Sequence, residues 1–170
     1  MTQVALLKSA EIPSKEKIQN HLVKLGYDFK FTDHGDPFYG ASNIECTINN
    51  YPTSFELYFE EAKGILKEWT WLPPPQSEPD TIIFFVWDSD FAAAACIGLI
   101  CIALIDYSAA KIFYLEEEMP YSREMLINDT PHYLYELEKL VPNFSDNDEE
   151  KSFESFQKYK WWQKLLKWFK

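Results

Sequence analysis

The sequence predicts an α+β fold in which a mixed β-sheet packs one face on a buried apolar helix, with an amphipathic helix at the C-terminal end. Three observations indicate this class. Several short segments alternate apolar and polar residues, as half-buried strands do. An uninterrupted apolar run at residues 91–105 lies between β-rich segments at residues 81–87 and 111–115. Residues 159–170 combine lysines with aromatic residues at helical spacing.

The first half of the chain predicts one helix and three strands. Ser14 can cap a helix whose apolar residues recur at i, i+4 and i+7 spacing, and Gly26 stands where a helix commonly ends. The strictly alternating residues 27–31 then predict a strand. Two further alternating segments, residues 44–48 and 55–59, are separated by a turn rich in Asn and Pro, and they predict a β-hairpin.

The second half predicts a strand–helix–strand unit and a final helix. Residues 81–87 are β-branched and aromatic throughout, which is typical of a strand covered on both faces. Residues 91–105 would form a helix about 22 Å long. A membrane core is roughly 30 Å thick, so a buried core helix is expected. The crossover to a strand at residues 111–115 is long enough to join parallel neighbours. Thr130-Pro131 is a good cap and first turn for the final helix.

Charge divides the chain into two parts. Residues 1–150 carry 10 Lys and Arg against 26 Asp and Glu, a net charge of −16, whereas residues 151–170 carry 6 against 1, a net charge of +5. We therefore expect a single α+β domain over residues 1–145, followed by an acidic linker and a basic, Trp-rich amphipathic helix over residues 146–170. An acidic body with a short basic tail is typical of a protein that acts by contact.

On a helical wheel the tail separates into an apolar, aromatic half and a basic half. Three interpretations of this helix stay open: docking onto the acidic body, lying on an anionic membrane surface, and binding a partner or a second copy of the chain. Anionic lipid would repel the acidic body, which opposes part of any membrane binding. The predicted contact residues of the tail are Trp161, Trp162, Leu165, Trp168 and Phe169.

No pattern in the sequence points to catalysis. His21, His34 and His132 each lack a companion Cys or His at ligand spacing, so no metal site is predicted. The glycines occur singly, which leaves no phosphate-binding loop. The sequence therefore predicts no catalytic residues, no cofactor and a protein that is not an enzyme.

The cysteines predict a reducing compartment. Cys46 falls on the apolar face of its predicted strand, and Cys96 and Cys101 fall within the apolar helix. Buried, reduced thiols of this kind are typical of a cytosolic protein and unsuited to nucleophilic catalysis. Residues 1–8 show no basic leader, so a cytoplasmic location is expected.

Two acidic clusters offer a contact surface. Glu116, Glu117 and Glu118 directly follow a predicted strand, and Asp146–Glu150 precede the tail. Each cluster is either a solvated loop or linker, or a negative surface for a positively charged partner. Such a surface repels phosphate, so nucleic acid is not expected as a ligand. The three glutamates and the exposed aromatic residues near them form the predicted partner-binding site.

Three motifs stand out along the predicted order of elements: Gly26-Tyr27-Asp28-Phe29, residues 84–87, and the Asp-Phe-Ala-Ala-Ala start of the apolar helix. With these motifs, the order of elements over roughly residues 13–140 resembles that of small acidic bacterial proteins of the toxin-immunity type. The resemblance implies a protein that binds and silences a partner toxin in the bacterial cytoplasm, and it assigns no functional residue. Together with the charge, it predicts an inhibitor that occludes a basic, nuclease-like toxin. A peripheral membrane protein anchored by its tail is the alternative, and the oligomeric state stays open.

Overall fold

The computed structural model describes residues 1–32, 37–72 and 78–140, and within it Met1–Leu137 form one compact unit. Over the described residues the chain forms seven strands, four α-helices and a short 3-10 turn at Ser9–Glu11. The strands are β1 (Thr2–Leu7), β2 (Phe29–Phe31), β3 (Asn43–Ile48), β4 (Tyr51–Glu61), β5 (Thr81–Val86), β6 (Lys111–Tyr114) and β7 (Met119–Tyr121). The α-helices are α1 (Lys15–Lys24), α2 (Ala62–Ile65), α3 (Phe91–Ser108) and α4 (Arg123–Leu140).

The strands form one sheet in the order β2-β3-β4-β5-β1-β6-β7, and every pair of neighbouring strands in this described part of the chain is antiparallel. The predicted α+β class, with the apolar helix packed on the sheet, is confirmed. The parallel pair of the predicted mixed sheet does not form. Strands β5 and β6 run in the same direction, but β1 lies between them and pairs antiparallel with both.

Strand β1 is an interior strand of the sheet, and both of its faces are apolar. Ala5 and Leu7 belong to the main core beneath the helices, while Val4 and Leu6 belong to a second apolar cluster on the opposite face. The run of apolar residues at Val4–Leu7 is at the lower limit of length for a buried strand, so it is a weak signal without its partners. Those partners lie far away in sequence, since Thr2 is opposite Val86.

Helix α3 occupies the middle of the core. The Asp90 carboxylate caps it by accepting a hydrogen bond from the Ala92 N–H at 2.9 Å, and Ala109 ends it in the left-handed conformation. Its length and apolar composition would suffice to cross a membrane, and 78% of that stretch is buried inside the protein. Its packing on the sheet makes it the predicted core helix, which extends three residues beyond Ile105.

Local signals locate the first helix and the first hairpin well. The Ser14 hydroxyl accepts a hydrogen bond from the Lys17 N–H at 3.2 Å, so α1 begins where its cap predicts. Asn49 and Asn50 have positive φ angles of 50° and 66°, as a two-residue type I′ turn requires. The hairpin is therefore tighter than predicted, with Tyr51 already opposite Ile48 in the ladder.

Helix α4 begins at Arg123, so the predicted cap at Thr130-Pro131 is wrong. Ser122 caps the helix by accepting a hydrogen bond from an N–H of the first turn at 3.1 Å. The Thr130 hydroxyl donates to the Leu126 carbonyl at 2.8 Å, and Pro131 lies inside the helix. A proline there removes one helical hydrogen bond. Burial of the Leu126 side of the helix against the core offsets that loss.

A second apolar cluster covers the middle of the sheet on the face opposite α3. Residues 62–72 lie over it, with the Trp69 ring centred 5.9 Å from that of Phe84 and the Trp71 ring 5.6 Å from that of Phe113. Beyond this cover, the outer face of β3 and β4 is exposed and acidic. Its outward residues include Glu45, Glu56, Tyr58 and Glu60.

Several predictions concern residues outside the described part of the chain. These are His34, the acidic run at Asp146–Glu150, and the amphipathic helix with its contact residues Trp161, Trp162, Leu165, Trp168 and Phe169. The division into residues 1–145 and 146–170 stays a prediction with them.

Candidate functional site

The predicted contact acids lie at the tip of the hairpin that joins β6 to β7. Glu116, Glu117 and Glu118 are all exposed. Glu118 has a φ of 50°, a left-handed conformation that reverses the chain between the strands. The Glu116 carboxylate lies 3.7 Å from the amino group of Met1. The structure therefore presents three adjacent carboxylates at one edge of the sheet.

A cavity of about 170 Å³ adjoins this hairpin, between the sheet and helices α3 and α4. Four aromatic side chains and two carboxylates line it, and Ala94, Gly98 and Leu126 add apolar surface. We call it the aromatic cavity. Its aromatic and acidic lining consists of Trp87, Tyr114, Tyr121, Tyr133, Glu117 and Asp129.

Strand register explains how the hairpin tyrosines reach the cavity. Tyr121 is opposite Ile112, a core residue on the helix-covered face, and Tyr114 lies two positions beyond Ile112 on β6. Residues two apart on a strand share a face, so both tyrosines project toward the helices. Trp87 directly follows β5 and belongs to the same core.

Helix α4 supplies the opposite wall through residues on one of its faces. Leu126, Asp129, Thr130 and Tyr133 follow the i, i+3, i+4, i+7 spacing of a single helical face. This face approaches α3 closely at Gly98, where an added Cβ would lie 3.4 Å from the Thr130 Oγ1. The absence of a side chain at this glycine leaves part of the cavity open.

Three of the aromatic rings form a continuous wall, and the fourth, Tyr133, packs on a ring outside the lining. The Trp87 and Tyr114 ring centroids are 6.2 Å apart, and those of Tyr114 and Tyr121 are 6.4 Å apart, both pairs tilted. Tyr133 stacks on Phe91 with a centroid distance of 6.4 Å. Such spacing lies within the range at which aromatic rings attract one another, so the wall is held by its own contacts.

The polar groups of the cavity are two carboxylates and several donors, among them three tyrosine hydroxyls and the Trp87 indole. The Tyr121 hydroxyl donates a hydrogen bond to the Asp129 carboxylate. Trp87 is 8% exposed, and its indole Nε1–H has no hydrogen-bond partner among the described residues. No lysine or arginine of the described chain lines the cavity. Glu117 and Asp129 therefore add negative charge to the lining, while the positive Met1 amino group lies beside it: it donates to the Trp87 carbonyl at 3.0 Å and is 3.7 Å from the Glu116 carboxylate.

The pKa values of the three cavity tyrosines are raised, in part by this negative charge. Burial is the largest cause that raises the pKa of Tyr114, Tyr121 and Tyr133. Nearby carboxylates raise it further, chiefly Asp129 beside Tyr121 and Tyr133. Both causes disfavour a phenolate, so the three hydroxyls are neutral and can donate hydrogen bonds at physiological pH.

The described histidines take separate positions. The His21 Nε2 lies 2.8 Å from the Asp106 Oδ2, which also pairs with Arg123, while His132 is exposed on α4. Among the described residues, no group of three or more His, Cys, Asp or Glu could hold a metal ion. The contact between His21 and Asp106 joins helices α1 and α3, so His21 is a locally bonded histidine with a structural role.

The three cysteines are free and buried, which confirms the prediction of buried thiols. A hydrogen bond with Cys46 and burial raise the pKa of Cys96, and burial raises the pKa of Cys101. Thiols with raised pKa values are poor nucleophiles. The contact between Cys46 on β3 and Cys96 on α3 has no signal in the sequence, because the two residues come together only through the sheet.

The sequence predicts the three glutamates of the candidate site by residue. For the aromatic residues it predicts only that some lie exposed near these glutamates. The aromatic residues found there, Trp87, Tyr114, Tyr121 and Tyr133, are buried or half-buried. Their place could have been found in part from strand alternation around Ile112. No protein-family model, curated protein or solved structure matches this chain. The resemblance to toxin-immunity proteins thus stays a prediction.

Proposed function

We propose that this protein is an inhibitor that binds a basic partner protein through the β6–β7 hairpin and the adjoining aromatic cavity. The observation that carries the proposal is the junction of three exposed carboxylates with a cavity walled by aromatic rings. Carboxylates attract and orient a basic partner. The few residues that dominate binding energy at interfaces are enriched in Trp and Tyr and cluster in well-packed pockets.

The class of partner follows from charge. Residues 1–150 carry a net charge of −16, which favours a basic protein and opposes nucleic acid. A nuclease-like toxin is basic where it binds phosphate, and an acidic surface can occupy that site. The resemblance to immunity proteins supports a bacterial, cytoplasmic inhibitor that acts by occlusion and performs no chemistry. The alternative of a membrane anchor depends on the tail, which lies outside the described residues.

Charge reversal at the hairpin tests this proposal. The immobilised full chain is titrated with basic toxins encoded beside its gene, at salt concentrations from about 0.05 to 0.5 M. We expect binding that weakens as salt rises. Replacing the hairpin acids (E116K/E117K/E118K) should weaken binding at least roughly tenfold, since several close charge pairs are reversed.

A matched variant separates the hairpin from net charge. E45K/E56K/E60K makes the same change in charge on the outer face of β3 and β4, away from the hairpin. We expect it to bind almost as the unmodified chain does. Equal losses in the two variants would contradict a hairpin interface, and a loss confined to the control would place the interface on the β3–β4 face. Failure of all neighbour-encoded basic proteins to bind would reject the inhibitor function.

A further inference from the structure

The aromatic cavity has the features of a site for an organic cation. Trp87, Tyr114, Tyr121 and Tyr133 surround it with π-systems, whose faces attract an ammonium group within about 6 Å. Glu117 and Asp129 add two carboxylates, no lysine or arginine of the described residues lines the cavity, and the Met1 amino group beside Trp87 is paired with Glu116. An anion would be repelled by the same groups. The potential inside the cavity therefore selects positive charge.

The size and the apolar floor narrow the choice of cation. A volume of about 170 Å³ corresponds to roughly six water molecules at about 30 Å³ each. An alkylammonium chain of four carbons and one nitrogen fits this space. Ala94, Gly98 and Leu126 provide apolar surface for the methylene groups, so the stem is buried while the charged end meets rings and carboxylates.

The unpaired indole N–H of Trp87 is a further sign of a ligand. Buried donors in proteins nearly always have a partner, and this one belongs to a residue of the cavity wall, although its own nitrogen is buried. A ligand carbonyl or an accompanying water is the kind of partner that would satisfy it. A peptide ligand carries carbonyl oxygens beside its side chain, which a simple metal ion does not.

We propose that the aromatic cavity is an ammonium pocket that receives a lysine side chain of the basic partner. The identity of the donor rests on the proposed function, whereas the preference for an alkylammonium group rests on the cavity alone. The Glu117 carboxylate stands at the exposed rim and guides the cation inward, while Asp129, which is half-buried, holds the inner negative charge.

Small probes test the pocket without the partner. The ¹⁵N-labelled full chain is titrated with n-butylammonium chloride, with n-butanol of the same heavy-atom count, and with potassium chloride as a salt control. We expect a saturable shift of the Trp87 indole resonance with n-butylammonium, at a Kd of about 1–10 mM for so small a ligand. n-Butanol should bind at least roughly tenfold more weakly, because it lacks the charge. Equal binding of the two probes, or no saturable shift with n-butylammonium, would overturn the pocket.

Two neighbouring glutamates provide a matched pair of variants. Glu117→Gln removes a carboxylate that lines the cavity, and we expect it to weaken n-butylammonium binding roughly three- to tenfold. Glu118→Gln removes the next carboxylate on the same exposed turn, which does not line the cavity, and should change binding less than about twofold. Equal effects of the two variants would contradict a specific role for Glu117.

Titration with short peptides distinguishes a lysine side chain from a free amine as the source of the ammonium group. Acetyl-Gly-Lys-Gly-amide should bind at least as well as n-butylammonium, and its norleucine counterpart should not bind. Binding of n-butylammonium without the lysine peptide would overturn the partner lysine and leave a site for a free amine. If the chain captures a basic toxin but does not bind n-butylammonium, the ammonium pocket is rejected and the inhibitor function stands. The two proposals can therefore fail separately.

Discussion

Asp106 joins three helices through one carboxylate. Arg123 on α4 donates to both of its oxygens, at 2.6 and 2.9 Å, and His21 on α1 lies 2.8 Å from Oδ2. The hydrogen bonds from Arg123 are the largest cause that lowers the pKa of Asp106, and burial opposes them in part. The charged form of this residue is therefore favoured in the folded protein.

The lowered pKa gives a stability that depends on pH. Because the folded pKa lies below the unfolded value of about 4, the contribution is complete above about pH 4 and is lost as pH falls through the folded pKa. We expect Asp106→Asn to lower the free energy of unfolding by about 1–2 kcal/mol at pH 7, an amount reduced for solvent screening at a partly exposed site.

Urea unfolding at pH 7 and at about pH 3 measures this effect, and the difference between the variant and the unmodified chain should shrink at the lower pH. Asp28→Asn is the control, because Asp28 forms an exposed pair with Lys30 at 3.3 Å. Exposed pairs of this kind contribute little, so a change within about 0.5 kcal/mol is expected. A constant difference at both pH values would contradict the linkage.

Gly98 is the residue where helix packing and the cavity meet. A Cβ added there would be 3.4 Å from the Thr130 Oγ1 and 3.9 Å from the Leu126 Cδ2, which is ordinary contact. We expect Gly98→Ala to raise the free energy of unfolding by about 0.5–1 kcal/mol, since alanine favours a helix over glycine.

The same substitution narrows the ammonium pocket and should weaken n-butylammonium binding. Gly98→Val overfills the α3–α4 contact and should lower stability by about 1–3 kcal/mol. Thermal and urea unfolding measure both variants. A Gly98→Ala protein that is less stable than the unmodified chain would show that the helices cannot accept even one methyl group here.

At the scale of elements, helix α4 contains a proline in its interior. Pro131 lacks the N–H that would donate to the carbonyl of Ile127 four residues before it. We expect Pro131→Ala to raise the free energy of unfolding by about 1–2 kcal/mol, because the helical hydrogen bond can then form. Urea unfolding is the measurement. His132→Ala, at the next exposed position, restores no hydrogen bond and should change stability by less than about 0.5 kcal/mol.

The elements that the sequence predicts well are those with local causes. Ser14 and Asp90 cap their helices, and the Asn49-Asn50 turn fixes the first hairpin, so short-range chemistry locates α1, α3, β3 and β4. Strand β1 depends on pairing with residues at least 74 positions away, and β7 is a short strand with Pro120 in it. Neither has a local signal strong enough to predict it.

The candidate site also has one part that local sequence predicts and one part that depends on long-range contacts. A run of three glutamates is visible in the sequence, and the structure places all three on the surface. The aromatic cavity arises where β1, the end of β5, α3, the last hairpin and α4 meet. That meeting depends on long-range strand order and on the early start of α4 at Arg123, which a cap at Thr130 does not predict.

At the scale of the whole molecule, the three cysteines provide a probe of global opening. Cys46, Cys96 and Cys101 are at most 1% exposed, and each lies in the core formed by the sheet and α3. We expect that an aromatic disulfide reagent, which releases a coloured thiol when it reacts, labels none of them in the folded protein within minutes. Labelling should require opening of the core.

Denaturation in guanidinium serves as the control, in which all three thiols should react rapidly. The labelling rate of the folded chain, followed against urea concentration, should track the unfolding equilibrium. Rapid labelling of one cysteine in the absence of denaturant would contradict a closed core around α3.

The position of β1 between β5 and β6 has a consequence for synthesis on the ribosome. Among the described strands β1 is made before its two neighbours, β5 and β6, which are complete only when residues 81–86 and 111–114 have followed. Until then the nascent chain exposes an apolar strand with both edges free, a state prone to association with other chains. Both edges of β1 are paired only after β6 has been made, and pairing between such distant segments is intrinsically slow.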